Sequence, residues 1–441
     1  MNIIVLGGGE SGFGAAYLAK TKGYDVFLSD YGTISEANKE KLINADIPFE
    51  DGAHSINVIL KADIIVKSPG ISNTIPLLVK AKENGIEIIS EIEWAYRHVE
   101  SGKIIGITGS NGKTTTTSLM YEVLKNFSSS VCLAGNIGIS FSYQVANHSF
   151  DYYVLELSSF QLDDIVSFKP DIAILLNLSA DHLDRYNWNM SEYVDSKFRI
   201  AMNQTGSDHF IGWNEGEHFL PQLNQVKAKK YMFSSEQNTN AQAFFNQSTI
   251  TINGGSNWDL NINNISIKGK HNYMNVMAVG IVSQLLEIPQ VVVEKGLKEF
   301  QSVEHRLEPV RSLNNIQFIN DSKATNVDAV YYALDTFTNP IVWIAGGIDK
   351  GNDYSQIKAL VLEKVKILIC VGKNISNFKS SFENSIPMVF AENMEEAVNL
   401  AYQNAESNDV VLLSPACSSF DMFDNYGQRG EVFKELVHKL K

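Results

Sequence analysis

A glycine-rich loop with the residues needed to hold a triphosphate lies between an apolar run and a helical pattern. Residues 108–114 read Thr-Gly-Ser-Asn-Gly-Lys-Thr, after a predicted strand and before a predicted helix over 115–127. Small residues leave backbone N–H groups accessible to phosphate oxygens, Lys113 can reach the terminal phosphates, and Thr114 can bind Mg²⁺. The loop departs from the strict Walker A pattern, because Ile107 stands where its first glycine belongs. We predict a nucleoside triphosphate site here.

Carboxylates that could hold a metal follow the next predicted strands of this region. Glu156 stands at the end of the apolar run 152–157. After the following strand, His182 lies between Asp181 and Asp184. Parallel strands place their carboxyl ends at one edge of a sheet, where ligands bind, and Mg²⁺ prefers oxygen ligands. We therefore predict a role near metal or phosphate for Glu156 and His182.

Lys197 lies on the apolar side of a predicted helix over 191–203. It shares that face with Val194, Phe198 and Ala201. The spacing alone favours snorkelling, in which the stem is buried and the ammonium reaches water. A buried ammonium with a functional role is the alternative.

A second phosphate motif opens the chain. Residues 7–12 form a GxGxxG pattern after the first predicted strand, and Asp30 follows the next predicted strand. Such glycines let a helix N-terminus approach a pyrophosphate, and the acid can bind a ribose hydroxyl. A tight turn that needs glycine for packing would look the same, and Glu10 complicates phosphate binding because a carboxylate repels it. The glycine loop 68–72 could face the same ligand or be a plain turn.

These motifs require parallel sheets with crossover helices. Short Ile/Val-rich runs alternate with helix-length amphipathic segments nearly throughout the chain, which is typical of α/β domains. We predict three of them, over residues 1–94, 95–302 and 303–441, with the phosphate loop in the central one. The polar segment 237–264 is interpreted as a hairpin-like insertion outside the core.

Composition excludes several classes of protein. The 441 residues carry 36 Lys and Arg against 50 Asp and Glu, a net charge of −14, which disfavours nucleic-acid binding through a basic surface. Three separated cysteines, Cys132, Cys370 and Cys417, suit a reducing compartment. No signal peptide or bilayer-length apolar run is evident. We expect a cytoplasmic, monomeric enzyme without a membrane partner.

The order of the motifs resembles that of the Mur ligases. The matching segments are residues 108–114, 156–162, 180–186, 271–272, 305–306 and 320–326. The amino-acid sequences of segments 135–138, 181–186 and 414–417 are similar to those of the family members that add D-glutamate. The resemblance spans nearly the whole chain. Two positions depart from it: Glu10 replaces an apolar residue, and Tyr426 replaces a phenylalanine.

The resemblance implies an ATP-dependent amide ligation in peptidoglycan synthesis. It implies a Rossmann-like first domain that would bind UDP-N-acetylmuramoyl-L-alanine. A central P-loop-type ATPase domain with a mainly parallel sheet would bind ATP, and a mobile, Rossmann-like third domain would bind D-glutamate. The alanyl carboxylate would become an acyl phosphate, which the amine of D-glutamate then attacks. Two Mg²⁺ ions would assist, one of them held partly by a carbamate that CO₂ forms on Lys197.

The resemblance also assigns residues to these ligands. ATP would contact Gly109, Asn111, Gly112, Lys113, Thr114, Thr115, Asn272, Asn275, Arg306, Asp321 and Lys323. The metals would be held by Thr114, Glu156, His182 and the carbamate of Lys197, with Lys113, Glu156, His182 and Lys197 as the catalytic set. The UDP-substrate would contact Ser11, Asp30, Gly70 and Asn136, and D-glutamate would contact Thr325, Lys350, Ser419 and Tyr426.

Three alternatives remain open from the sequence. Another amino-acid-adding ligase of the family, including folylpolyglutamate synthetases, would share the ATP loop. An NAD-dependent oxidoreductase would explain the first glycine motif, but not the second phosphate loop or Glu156. A regulatory P-loop module would bind ATP without ligation.

Overall fold

The computed structural model describes residues 1–215, 219–238, 240–301, 304–349, 351–372 and 376–441. The chain forms two compact units. The first comprises Met1–Leu178, Asn189–Asn264 and Met274–Lys298; the second comprises Ser179–Trp188, Ile265–Tyr273 and Glu299–Lys441. The first unit holds two sheets and the second holds one, so the predicted three-domain α/β fold is confirmed. The domain boundaries stay a prediction.

The N-terminal sheet is parallel, with strand order β3-β2-β1-β4-β5. Its strands are β1 (Asn2–Leu6), β2 (Asp25–Ser29), β3 (Phe49–Glu50), β4 (Ile64–Lys67) and β5 (Glu87–Ser90). Its helices are α1 (Glu10–Thr21), α2 (Glu36–Asn44), α3 (Ile56–Ile59), α4 (Pro76–Glu83) and α5 (Glu91–Tyr96). Strand order changes direction beside β1, and ligands bind in α/β sheets outside the strand ends at such a point.

The central sheet has the order β14-β13-β12-β11-β10-β9-β6-β8-β7. Its strands are β6 (Lys103–Thr108), β7 (Val131–Gly135), β8 (Tyr152–Glu156), β9 (Ile172–Leu175), β10 (His209–Trp213), β11 (Lys229–Ser234), β12 (Ala243–Asn246), β13 (Thr249–Ile252) and β14 (Trp258–Asn261). Its helices are α6 (Lys113–Lys125), α7 (Phe141–Asn147), α8 (Ser159–Asp163), α9 (Met190–Phe198), α10 (Phe219–Leu223), α11 (Lys270–Leu285) and α12 (Gln290–Glu299), with 3₁₀ turns at Leu183–Arg185, Arg199–Ala201 and Ile262–Asn264.

The interpretation of segment 237–264 as lying outside the core is wrong. Strand β13 pairs antiparallel with both β12 and β14, and β12 pairs parallel with β11, so the three strands extend the central sheet. Alternating positions bury Ile250, Ile252 and Leu260. The polar residues that suggested an insertion occupy the turns and the other face, as an antiparallel edge with one solvated face allows.

The C-terminal sheet has the order β15-β16-β20-β17-β18-β19, parallel except for the β15–β16 pair. Its strands are β15 (Glu308–Leu313), β16 (Ile316–Asn320), β17 (Ile341–Ala345), β18 (Val365–Val371), β19 (Met388–Ala391) and β20 (Val410–Leu413). Its helices are α13 (Val327–Thr336), α14 (Ser355–Lys364), α15 (Ser376–Phe382), α16 (Met394–Asn404) and α17 (Tyr426–Lys439). Among the helices described, none has the length and apolar character to cross a membrane.

Candidate active site

The glycine-rich loop between β6 and α6 contains two glycines in conformations that other residues rarely adopt. Gly109 has a φ of 149° and Gly112 a φ of 81°. A Cβ atom at Gly112 would lie 2.5 Å from Oδ1 of the buried Asn275, so a side chain there would displace that amide. On the other side of the loop, the backbone N–H of Asn111 donates to Oδ1 of Asn177 at 2.8 Å. These contacts fix the backbone at the N-terminus of α6.

Lys113 is the first residue of α6, and its ammonium lies over the loop. Its Nζ donates to the carbonyl oxygens of Gly109 and Ser110, each at 2.7 Å. The Ser110 hydroxyl shares a hydrogen bond of 2.9 Å with the Tyr193 hydroxyl. A cation beside a helix N-terminus adds to the positive end of the helix dipole. The local field therefore favours an anion such as a phosphate.

Glu156, the last residue of β8, brings a buried carboxylate to the same edge of the sheet. It pairs with Ile107 in the register of β6 and β8, beside the start of the loop. Its Oε1 accepts a hydrogen bond from Nδ2 of Asn136 at 2.8 Å. Its Oε2 is buried and has no hydrogen-bond partner among the described residues. Since a buried carboxylate oxygen without a partner is costly, this atom fits a metal ligand.

The donors at this edge suit Mg²⁺. The buried Thr114 hydroxyl stands in the first turn of α6, and the Oε2 atom of Glu156 lies at the end of the neighbouring strand. Mg²⁺ is commonly bound through one or two protein oxygens, with substrate phosphates and water completing its coordination. The chemistry of the donor set is therefore compatible with one Mg²⁺ ion.

Lys197, on α9, is only 2% exposed, so the snorkelling interpretation is wrong. Its Nζ donates to Oγ1 of Thr108 at 3.2 Å and lies 5.4 Å from the centroid of the Tyr193 ring. The Thr108 hydroxyl in turn donates to the carbonyl of Leu157 at 2.7 Å. The ammonium is thus held at the carboxyl ends of β6 and β8.

Both N-terminal glycine loops line one cavity of about 980 Å³. Three of the four residues assigned to the UDP-substrate, Ser11, Asp30 and Gly70, are among its lining. Asn136, the fourth, donates instead to Glu156. The second glycine loop thus faces the same space as the first, as one of the two sequence interpretations proposed.

Asp30 braces the first glycine loop. Its Oδ2 accepts the backbone N–H of Gly8 at 2.6 Å, and its Oδ1 accepts that of Gly32 at 2.7 Å. Next to it, the aromatic side chain of Tyr31 is 74% exposed, with its ring centroid 5.8 Å from that of His54. Both rings line the cavity. They offer apolar faces to a base, a feature that sequence reasoning missed although Tyr31 directly follows Asp30.

The segment Ser179–Trp188, which carries His182, belongs to the second unit. The Ser179 hydroxyl donates to Asp328 at 3.0 Å, and Asn326 donates to Asp181 at 3.3 Å. His182 has a left-handed backbone, with a φ of 53°, and its Nε2 lies 3.6 Å from Oδ2 of Asp181. Glu156 and Lys197 belong to the first unit, so the second metal set remains a prediction.

Asp321 is a buried carboxyl group after β16 of the second unit. Burial raises its pKa to about 7, and the charge of Arg306 opposes that rise. Its oxygens accept hydrogen bonds from the Ser414 hydroxyl at 2.8 Å and the Leu307 N–H at 3.2 Å. Burial, reinforced by Arg306, lowers the pKa of His271 to about 4. Burial, with a smaller contribution from Arg306, thus keeps His271 neutral, while the charge of Arg306 favours the ionised form of Asp321.

The residues assigned to D-glutamate also fall in the second unit. Tyr426 begins α17, and its ring lies 5.2 Å from Nζ of Lys323, a residue assigned to ATP. Ser419 is buried and Thr325 is half-buried. Lys350 lies outside the described residues. The Lys323 ammonium and the Tyr426 ring are thus in cation–π contact.

The predicted residues therefore form three groups. One lies at the β6–α6 edge and contains Gly109, Asn111, Gly112, Lys113, Thr114, Thr115, Asn136, Glu156, Lys197 and Asn275. A second lines the N-terminal cavity and contains Ser11, Asp30 and Gly70. A third, which belongs to the second unit, contains His182, Asn272, Arg306, Asp321, Lys323, Thr325, Ser419 and Tyr426.

Sequence reasoning gave no role to two residues that support the glycine-rich loop between β6 and α6. Asn177 holds the loop backbone from both sides, because its Nδ2 also donates to the carbonyl of Asn111 at 3.1 Å. Tyr193 contacts both Ser110 and Lys197. Their positions in the sequence indicate these roles, since Asn177 follows a predicted strand and Tyr193 stands one helical turn before Lys197.

Family comparisons match each sheet region separately. The models for the MurD-like N-terminal domain, the Mur ligase middle domain and the glutamate ligase domain match residues 1–90, 107–283 and 305–417. A three-domain α/β protein with a phosphate loop at the central sheet edge is the class that the fold and site define. The chain belongs to the Mur ligase family.

Curated relatives extend the match over the whole chain. A protein of Christiangramia forsetii is 47% identical over 442 residues, covering 99% of both chains. One from Cytophaga hutchinsonii is 47% identical over 446 residues, again covering 99% of both. Both are called UDP-N-acetylmuramoylalanine--D-glutamate ligase.

Solved structures show the same fold at low sequence identity. The UDP-N-acetylmuramate-alanine ligase MurC of Thermotoga maritima aligns with a TM-score of 0.65 and 20% identity, covering 100% of both chains. MurF of Acinetobacter baumannii aligns with a TM-score of 0.65 and 14% identity over 99% of this chain and 93% of its own.

Proposed function

We propose that this chain joins D-glutamate to UDP-N-acetylmuramoyl-L-alanine at the expense of ATP, in peptidoglycan synthesis. The observation that carries the proposal is the 47% identity, over 99% of the chain, to relatives named for this reaction. The geometry supports it, because a phosphate loop with a metal-compatible edge and a cavity for a nucleotide both lie in the first unit.

The phosphate loop would hold the ATP phosphates. Backbone N–H groups at the start of α6 and the ammonium of Lys113 would bind the phosphate oxygens. Thr114 and Glu156 would hold Mg²⁺, which would neutralise charge on the transferring phosphoryl group. Asn136 would keep the Glu156 carboxylate oriented, because its amide donates to Oε1 and leaves Oε2 for the metal.

The chemistry would pass through an acyl phosphate. An oxygen of the alanyl carboxylate would attack the γ-phosphorus of ATP, forming a P–O bond as the bond to ADP breaks. The amine nitrogen of D-glutamate would then attack the carbonyl carbon, lose a proton and displace inorganic phosphate. Lys113 would stabilise the negative charge on the transferring group, and a site closed to water would protect the acyl phosphate from hydrolysis.

A second Mg²⁺ and a carbamate on Lys197 are part of the proposal. A free ammonium repels a metal ion, whereas a carbamate supplies carboxylate-like oxygens. The burial of Lys197 and its position at the ends of β6 and β8 support this role. His182 is proposed as the other protein ligand of that ion.

D-Glutamate would bind the second unit. Its two carboxylates require cations and hydroxyl donors, which Lys350, Thr325 and Ser419 would provide, with Tyr426 at the edge of the pocket. The proposal places the enzyme in the cytoplasm as a monomer, without nucleic-acid or membrane partners. A net charge of −14 and three buried free cysteines are compatible with that setting.

Phosphate release by the purified protein tests the proposal. We expect release with ATP, Mg²⁺, UDP-N-acetylmuramoyl-L-alanine and D-glutamate, and loss of most of it when any one component is omitted. Hydroxylamine should trap a hydroxamate when D-glutamate alone is absent. Release with another amino acid would favour a different ligase, and release independent of the acceptor would contradict ligation.

A further inference from the structure

Glu10 places a carboxylate at the N-terminus of α1, where the diphosphate of the proposed substrate would bind. It is the first residue of α1 and lines the N-terminal cavity together with the two glycine loops. Its side chain is 64% exposed. The N-terminus of α1 favours anions, whereas a free carboxylate in the same place opposes them. A diphosphate therefore requires the charge of Glu10 to be compensated.

Lys41 supplies that compensation from a neighbouring element. Lys41 is a residue of α2. Its Nζ lies 2.6 Å from Oε1 of Glu10 and 5.6 Å from the centroid of the Phe13 ring. The Phe13 ring in turn packs near Tyr17 and Tyr143, at centroid distances of 5.8 and 5.9 Å. The ammonium is thus held at a defined place beside the glycine loop.

The ion pair is also exposed and lies beside a second cavity. Glu10 lines a neighbouring cavity of about 710 Å³ as well, which Lys41, Phe13 and Tyr143 also line. With side chains 43% and 64% exposed, the pair belongs to the class that contributes little to stability. Its effect therefore falls on the local electric field at the glycine loop more than on the fold.

We infer that Lys41 is a positioning residue for the UDP-substrate: by pairing with Glu10, it removes the repulsion that this carboxylate would exert on the diphosphate. The inference rests on the proposed function, because it requires a diphosphate ligand at α1. A purely structural tie between α1 and α2 is the competing explanation.

Binding of UDP and of uridine separates the two explanations. Isothermal titration of the full-length protein should show that Lys41→Met weakens UDP binding about three- to tenfold at low salt, because the charge of Glu10 is then uncompensated. Uridine, which has no phosphate, should bind unchanged. Salt should reduce the difference, since exposed charges are screened. Glu10→Gln should bind UDP at least as tightly as the original protein.

The decisive variant is the double substitution Glu10→Gln/Lys41→Met. It should restore UDP affinity to within about twofold of the original, because removal of both charges removes the repulsion. Lys39→Met is the matched control on α2: Lys39 pairs with Glu36 and Asp51, so its loss should leave UDP binding unchanged.

Three results would overturn the inference: unchanged UDP affinity in Lys41→Met, equal losses for UDP and uridine, or no recovery in the double variant. Failure of the proposed function looks different. If the original protein binds no UDP at all, the assigned substrate is wrong and the inference falls with it. If it binds UDP and catalyses ligation while Lys41→Met behaves normally, only the inference fails.

Discussion

Lys67 and Asp164 form a buried ion pair between the N-terminal and central sheet regions of the first unit. The Nζ–Oδ2 distance is 2.8 Å, and the two side chains are 3% and 9% exposed. Lys67 also donates to the carbonyl of Ile71, and Asn73 donates to Oδ1 of Asp164, each at 2.7 Å. The pair therefore holds the second glycine loop of the N-terminal cavity against the segment that follows α8.

Removal of Asp164 alone should lower the free energy of unfolding far more than replacement of both Lys67 and Asp164 by apolar residues. Asp164→Ala leaves a buried ammonium without its counter-ion and should lower the free energy of unfolding by about 3–5 kcal/mol. Lys67→Met/Asp164→Leu should recover most of that loss. Urea unfolding measures both variants, with Glu100→Ala, from the exposed pair Lys22–Glu100, as a control that should change little. Similar losses in the single and double variants would contradict the pair's importance.

Removal of the Lys197 side chain should abolish ligation. The proposed carbamate supplies metal-binding oxygens, so Lys197→Ala should lower kcat about a hundredfold or more. Short carboxylates such as formate or acetate should restore part of the activity of this variant only. Lys125→Ala, on the exposed side of α6, is the control. Normal turnover by Lys197→Ala would reject the assignment.

Asn136→Ala should raise the Mg²⁺ concentration needed for half-maximal activity. Its amide orients the Glu156 carboxylate, and loss of such a supporting contact commonly costs about 10- to 100-fold in metal affinity. Activity measured across a Mg²⁺ titration tests this, with Asn147→Ala on the exposed end of α7 as control. A higher KM for the UDP-substrate with an unchanged Mg²⁺ midpoint would show that Asn136 serves the substrate alone.

Asp321 should make stability fall as the pH rises. Its pKa is about 7 in the folded protein against an ordinary value of 3.8. Between these values the folded state holds a proton that the unfolded state releases, so unfolding becomes easier with each rise in pH. Asp321→Asn removes this titration. The Tm of the variant minus that of the original should be more positive at pH 8 than at pH 4.5. A difference that does not vary with pH would contradict the assignment.

The sequence predicted those features that depend on local patterns. The phosphate loop was placed between β6 and α6 because glycines, a lysine and a threonine follow a strand directly. Its helix begins at Lys113 and not at 115, because the left-handed backbone of Gly112 sets the helix start two residues earlier than the apolar pattern suggests. Local sequence patterns do not predict the order of strands in a sheet, since that order depends on contacts between distant segments.

Other features depend on partners that no spacing reveals. The periodicity around Lys197 could not tell a buried ammonium from a snorkelling one, because the Thr108 hydroxyl that receives it lies on another element. The pairing of Lys67 with Asp164 is hidden for the same reason, because the two residues lie on elements that are distant in sequence. The strands of segment 237–264 are not predicted as part of the core, because most residues of the segment lie in turns or on the polar face. Their polar character outweighs that of the few residues that become buried.

The three cysteines have a practical consequence for measurements in solution. Cys132, Cys370 and Cys417 are all buried, and burial raises the pKa of each thiol to about 12. Maleimide dyes react with accessible thiolates, so the native thiols should react slowly while the fold is intact. A cysteine introduced at the protein surface would then be the preferred attachment point for a fluorophore, without prior removal of the native cysteines.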